Sequence, residues 1–225
     1  MRAMFNLGFS TSHLTTLIPS IVDDVLIFWD VLDKFARTGT VTPIEDLLAR
    51  LTIDIMGHLV LDHNSNSQKT ENELVSAFRK AVEWTPSPIA THPIFNLNPV
   101  RVFAHWYYAR AMDSYIKNVI HERLQLRNSG ILQVQVGATA TRRPVIDLAV
   151  DEYLLPGETQ EKSTSIDDTF QQLAVEQMKT FFFAGHDTSS STICYIYHIL
   201  NLHPESLAKV RQEHDEVFGD RVNTA

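Results

Sequence analysis

Phe181-Phe182-Phe183-Ala184-Gly185-His186-Asp187-Thr188-Ser189 decides how this chain is read. Three phenylalanines close an apolar helical run, and the run is expected to break at Ala184-Gly185. Glycine inside a helix costs about 1 kcal/mol against alanine. Asp187 brings a carboxylate, which needs a partner or a task if buried. Thr188 and Ser189 compete for backbone hydrogen bonds and bend a helix. Helical spacing then resumes through Ser190-Ser191-Thr192-Ile193-Cys194-Tyr195-Ile196-Tyr197. Local rules broken this densely mark a site.

Working outward, Ser165-Ile166-Asp167-Asp168 starts the helix that carries the stretch and runs to about Asn201. Pro204 opens a closing helix to Phe218, capped by Gly219. Upstream, a helix spans about Ile18 to Phe35, with Ile21, Val25, Phe28, Trp29 and Leu32 as its apolar stripe and Asp23, Asp24 and Asp30 off it. Thr38-Gly39-Thr40 stops it. Thr42-Pro43-Ile44-Glu45 reads as a new start, with Thr42 the cap and Glu45 completing a capping box. The helix that follows, through Leu47, Leu48, Leu51, Ile55, Leu59 and Val60, is apolar nearly all round and so is expected at the centre. Glu71 to Trp84 reads as a shorter amphipathic helix, and Pro86, Pro88, Pro93 and Pro99 hold the next stretch out of helix. A long helix follows from about Val100 to Leu126, its Trp106-Tyr107-Tyr108 cluster expected in the core or at a packing edge. Residues 128–164 are irregular, with one short helix near Val145–Val150 and one strand candidate, Leu132–Val136. No repeat is visible, and the fold class is mainly α, a single domain over 1–225.

With 44% hydrophobic and 20% charged residues in 225, a packed core is expected and disorder is not. A net charge of −8 without any basic, aromatic-interleaved run argues against a nucleic-acid partner. The one cysteine, Cys194, rules out an intrachain disulfide and a thiolate-based zinc site, and points to a reducing compartment. No apolar run reaches the roughly 18–20 residues needed to span a bilayer. Met1-Arg2-Ala3-Met4-Phe5 reads as an internal start and not as a leader.

Ala184 to Ser189, followed by His203-Pro204-Glu205 and a charged helix through Lys209, Arg211, Glu213 and Gly219, resembles the microsomal-type cytochrome P450 family, its fungal members in particular. Ala/Gly-Gly-x-Asp/Glu-Thr-Thr/Ser is that family's oxygen-binding helix. Leu51-Thr52-Ile53-Asp54-Ile55-Met56-Gly57 resembles a central helix of the same family, and Gly8-Phe9-Ser10 a turn that follows its first haem-contacting helix. The resemblance implies a partial P450 fold and a haem cofactor. It implies that Ala184 and Gly185 lie against the haem face and leave room for dioxygen, that Thr188 hydrogen-bonds oxygen there, and that Asp187 relays protons. It implies a monooxygenase acting on a lipophilic small molecule, fed with electrons by NADPH-cytochrome P450 reductase, with fungal secondary metabolism as the setting. Full-length relatives of this kind sit on the cytosolic face of the endoplasmic reticulum membrane; without an anchor, this chain would be cytosolic.

Departures from the family pattern accompany the match. The axial thiolate loop Phe-x-x-Gly-x-x-x-Cys-x-Gly does not occur, Cys194 is read as a packing cysteine, and no Glu-x-x-Arg occurs. The chain therefore reads as a truncated central segment, and the alternative to an enzyme is a degenerate remnant that binds no haem. The same stretches admit other readings: a loop with Asp187 as helix cap, His186-Asp187 as a metal pair of an all-α hydrolase, and Asp23-Asp24 as a magnesium-diphosphate site. Asp23-Asp24 and Asp167-Asp168 are expected on solvated helix faces, the latter pair at a helix start.

Overall fold

Helix-forming segments punctuated by glycine, proline and aspartate fold into the expected mainly α arrangement. The computed structural model describes residues 10–63, 65–70, 73–85, 98–129, 143–154 and 167–219. Among them are seven helices: α1 Thr11–Thr38, α2 Ile44–Leu61, α3 Glu73–Glu83, α4 Pro99–Asn128, α5 Val145–Leu154, α6 Asp168–Leu202 and α7 Pro204–Phe218. Gly8-Phe9, the Leu132–Val136 strand candidate and Ser165-Ile166 lie outside the described residues, as does most of 128–164.

Caps explain several of the boundaries. Ser10 accepts a hydrogen bond from the His13 backbone N–H, so α1 begins a full two turns before Ile18 and carries Pro19 inside it. Gly39 ends α1 in the left-handed region, at φ 65°, with its N–H on the Ala36 carbonyl. The expected capping box at Thr42 does not form: Pro43 takes the N-cap position, with no side-chain hydrogen bond, and α2 starts at Ile44. Pro99 is the first residue of α4 rather than the last of a loop, a position where its missing N–H costs nothing. Asp167 caps α6 by accepting from the Phe170 N–H at 2.6 Å, as a helix-start aspartate should.

α2 is central, packing on α1, α5 and, most extensively, α6. One core cluster joins α2, α3, α4, α5 and α6 through Ile53, Phe78, Ile116, Ile146, Phe170 and Phe182. A smaller one joins Phe28 of α1 to Leu48 and Leu51 of α2, with Ile193 and Cys194 of α6 packed against it.

Three further expectations are corrected. On α1 the buried face is Leu17, Ser20, Asp24 and Phe28, whereas Val25 is exposed and Trp29 is 66% exposed. Asp24 is not on a solvated face: it is 2% exposed and its carboxylate bonds His58 Nδ1 of α2 at 2.7 Å, which is what a buried carboxylate requires. On α4, Trp106 and Tyr107 stand in solvent, Trp106 against Phe103 with Arg110 over its ring. The helix buries its later residues instead, Met112, Ile116, Val119 and Ile120.

Candidate functional site

The helix does not break at Ala184-Gly185; α6 runs unbroken through the whole stretch. Its glycine is tolerated because α2 approaches closely. A Cβ on Gly185 would lie 2.4 Å from Met56 Sδ and 3.0 Å from Met56 Cγ. Gly185 thus makes room for a neighbouring helix, which gives its smallness a packing reason on the inner side of α6.

The motif residues divide between two sides of one helical turn. Gly185 and His186 are half-buried and Ser190 is buried, whereas Ala184, Asp187, Thr188 and Ser189 are exposed. Spacings of three and four residues bring Ala184, Asp187 and Thr188 onto one face. His186 and Asp187 consequently diverge, so the two do not converge on a common metal. Among the described residues no group of three or more His, Cys, Asp or Glu could hold a metal ion.

On the inner side, the His186 ring meets Phe78 of α3 edge-on, centroids 4.9 Å apart. Its Nδ1 is buried and makes no hydrogen bond. Burial, opposed by the Asp187 carboxylate and assisted by Arg79, holds the imidazole below its usual 6.5. The His186 carbonyl accepts Ser190 Oγ at 2.8 Å and Thr52 Oγ1 of α2 at 3.2 Å. On the outer side, Thr188 Oγ1 donates to the Ala184 carbonyl at 2.6 Å and Thr192 Oγ1 to the Thr188 carbonyl at 2.7 Å. Thr188, Ser189, Thr192 and Ile193 line an open hollow of about 320 Å³.

The Leu51–Gly57 segment supplies the other half of this arrangement, with each of its marked residues holding something different. Thr52 reaches α6. Asp54, buried, accepts the backbone N–H groups of Ser67 and Gln68 at 2.8 and 3.1 Å and pins the loop after α2. Gly57 lets that loop in, since a Cβ there would lie 2.8 Å from the His63 carbonyl oxygen. Thr52 and Met56 stand in the Leu51–Gly57 segment quoted from the sequence, but nothing in the sequence pairs them with Ala184–Ser189.

Cys194 faces the inner cluster of Phe28, Leu48 and Leu51. Burial, with Glu45 acting in the same direction, pushes its thiol up, so it stays protonated as a packing group. The open face carries no thiol or imidazole from the motif. It does carry small and hydroxyl-bearing residues beside uncovered apolar ones, Phe183, Tyr195 and Ile199.

A family model for cytochrome P450 matches residues 1–225. The chain is 39% identical over 219 residues to cytochrome P450 monooxygenase acrF of Aspergillus aculeatus, covering 97% of this chain and 41% of that protein. It is 35% identical over 221 residues to cytochrome P450 monooxygenase polC of Polytolypa hystricis, covering 98% and 38%. The chain thus spans about two fifths of these curated relatives. In structure it is similar to the crystal structure of a cytochrome P450 (CYP102L1), with a TM-score of 0.70 at 18% identity over 95% of this chain and 44% of that one.

Proposed function

The chain belongs to the cytochrome P450 family, and we propose that it forms the oxygen-handling side of a haem-thiolate monooxygenase acting on a lipophilic small molecule. The observation that carries this reading is the division of the motif: Ala184, Asp187 and Thr188 share an open face, while Gly185, His186 and Ser190 anchor the same turn. Haem, when bound, supplies the redox chemistry, by which dioxygen, two electrons and two protons oxygenate a substrate and yield water. The setting we assign is fungal secondary metabolism, as the family resemblance of the motif implies. We assign electron supply to an NADPH-cytochrome P450 reductase and location to the cytosolic face of the endoplasmic reticulum. Among the described residues no helix is long and apolar enough to cross a membrane.

This chain's own residues do local work. Ala184 keeps the outer face low, so that a planar ring and a small gas can lie close to the helix. Thr188 holds its hydroxyl proton on the Ala184 carbonyl and can present its oxygen or its proton to a ligand or water in the hollow beside it. Asp187, exposed next to it, relays protons from solvent toward that hollow. In the haem-loaded protein, Thr188→Ala should raise the fraction of consumed NADPH that ends as peroxide. Unchanged coupling would remove Thr188 from this role.

A second reading is a remnant without haem; Cys194, packed in the inner cluster, is not placed as a thiolate ligand. For the 225-residue polypeptide we expect no thiolate-type Soret band in the ferrous–CO spectrum. Its appearance would show that the polypeptide binds haem through a thiolate and would dispose of the remnant.

A further inference from the structure

We propose that Thr52 is a positioning residue for Asp187 and Thr188, acting through the His186 carbonyl. The proposal rests on the oxygen-handling reading of that pair. The carbonyl of His186 and the N–H of Asp187 belong to one peptide unit, which is planar. Whatever fixes the direction of that carbonyl fixes the plane from which Asp187 is projected. Besides its place in the helical ladder, the carbonyl has two hydroxyls on it: Ser190 Oγ from the next turn and Thr52 Oγ1 from α2. The first travels with α6, and only the second ties the plane to another element.

Thr52 has one hydroxyl proton and three carbonyls in reach, Leu48 at 3.0 Å, Ala49 at 3.1 Å and His186 at 3.2 Å, so the link to α6 is one branch of a shared donor that the two intrahelical carbonyls alone would satisfy. Thr52 is 4% exposed, so water does not compete for the bond. Met56 stands one turn further along α2 against the Gly185 gap, so α2 grips α6 at two consecutive residues of the motif. Asp187 and Thr188, on the other side, receive no such hold, and their direction is inherited from the gripped peptide.

The test uses the haem-loaded full-length protein. Thr52→Val keeps the branched shape and removes the hydroxyl. Backbone amides of residues 184–192 should exchange about fivefold faster with deuterium, the effect of one buried hydrogen bond, while those of α4 stay unchanged. The peroxide fraction should rise with substrate KM unmoved, and Thr52→Ser should restore both. If valine disturbs the fold at large, Thr52→Ser against Thr52→Ala, which differ in the hydroxyl alone, carries the same comparison. Unchanged exchange overturns the proposal. Faster exchange with normal coupling, in a protein where Thr188→Ala does uncouple, also overturns it and leaves the oxygen-handling reading standing. If neither Thr188→Ala nor Thr52→Val alters coupling, that reading fails and the positioning role falls with it.

Discussion

The inner and outer sides of α6 at the motif are built from adjacent residues and obey opposite rules. Inside, Phe182, Gly185, His186 and Ser190 are set by contact: a core ring, a gap filled by Met56, an edge-on phenylalanine, a shared carbonyl. Outside, Phe183, Ala184, Asp187 and Thr188 touch solvent and one another's backbone. The lesson is that a short motif can interleave two jobs, so that a residue's presence in it does not tell which job it does. Gly185 shows this best, since its smallness serves the joint between helices.

The two neighbouring phenylalanines give the largest test of that division. Phe182 is 1% exposed and Phe183 is 54% exposed. Phe182→Ala should destabilise by about 3–5 kcal/mol, because a buried ring is replaced by a cavity. Phe183→Ala should stay within about 0.5 kcal/mol. Urea titration of the two variants measures both; equal shifts would show that the faces are not distinct.

Much of this was legible in the residues. Helix periodicity, Gly39 and Asp167 placed the helices, and the apolar run through Leu48, Leu51 and Val60 placed α2 at the centre. What was not legible came from pairing across elements. Asp24 looked like a solvated acid because its partner, His58, lies on another helix 34 residues on. The break expected at Ala184-Gly185 did not occur because Met56 fills the space that glycine leaves, a compensation invisible in α6 alone. The aromatic cluster of α4 pointed to a core or a packing edge, yet burial is decided by what faces the helix, and Trp106, 53% exposed, meets Phe103 and Arg110 of its own helix.

Next in size is Gly185→Val. Alanine would regain about 1 kcal/mol of helix propensity, which offsets part of the clash. Valine adds branched bulk where Met56 already stands and should cost about 3 kcal/mol. Met56→Ala in the same chain should return part of that loss, a non-additive result diagnostic of direct contact. Strict additivity in thermal or urea unfolding would separate the two residues.

Acid should weaken the fold through its partly buried histidines. Burial holds His13, His63 and His186 below their usual 6.5. The folded state therefore binds fewer protons than the unfolded one in that range, and stability rises with pH there. It should be complete above about pH 6.5 and decline as pH falls from there toward the lowered folded values. His186→Phe should flatten the decline, measured as urea midpoints across the window. A midpoint that climbs on acidification would contradict the burial of these rings.

Thr188→Val carries the smallest stability effect and the sharpest contrast. The bond it removes, from Thr188 Oγ1 to the Ala184 carbonyl, is solvent-exposed, so water replaces the lost donor. Valine keeps the branched shape at Cβ, and the midpoint should move by less than about 0.5 kcal/mol. Coupling of oxygen use to product in the haem-loaded protein should nevertheless fall, because the hydroxyl's task lies outside the fold. Thr188 would then be the reverse of Gly185, a motif residue that the fold can spare and the chemistry cannot. A stability loss as large as that of Gly185→Val would mean that Thr188 is held by contacts on a closed face, and the division of the motif into two faces would have to be redrawn.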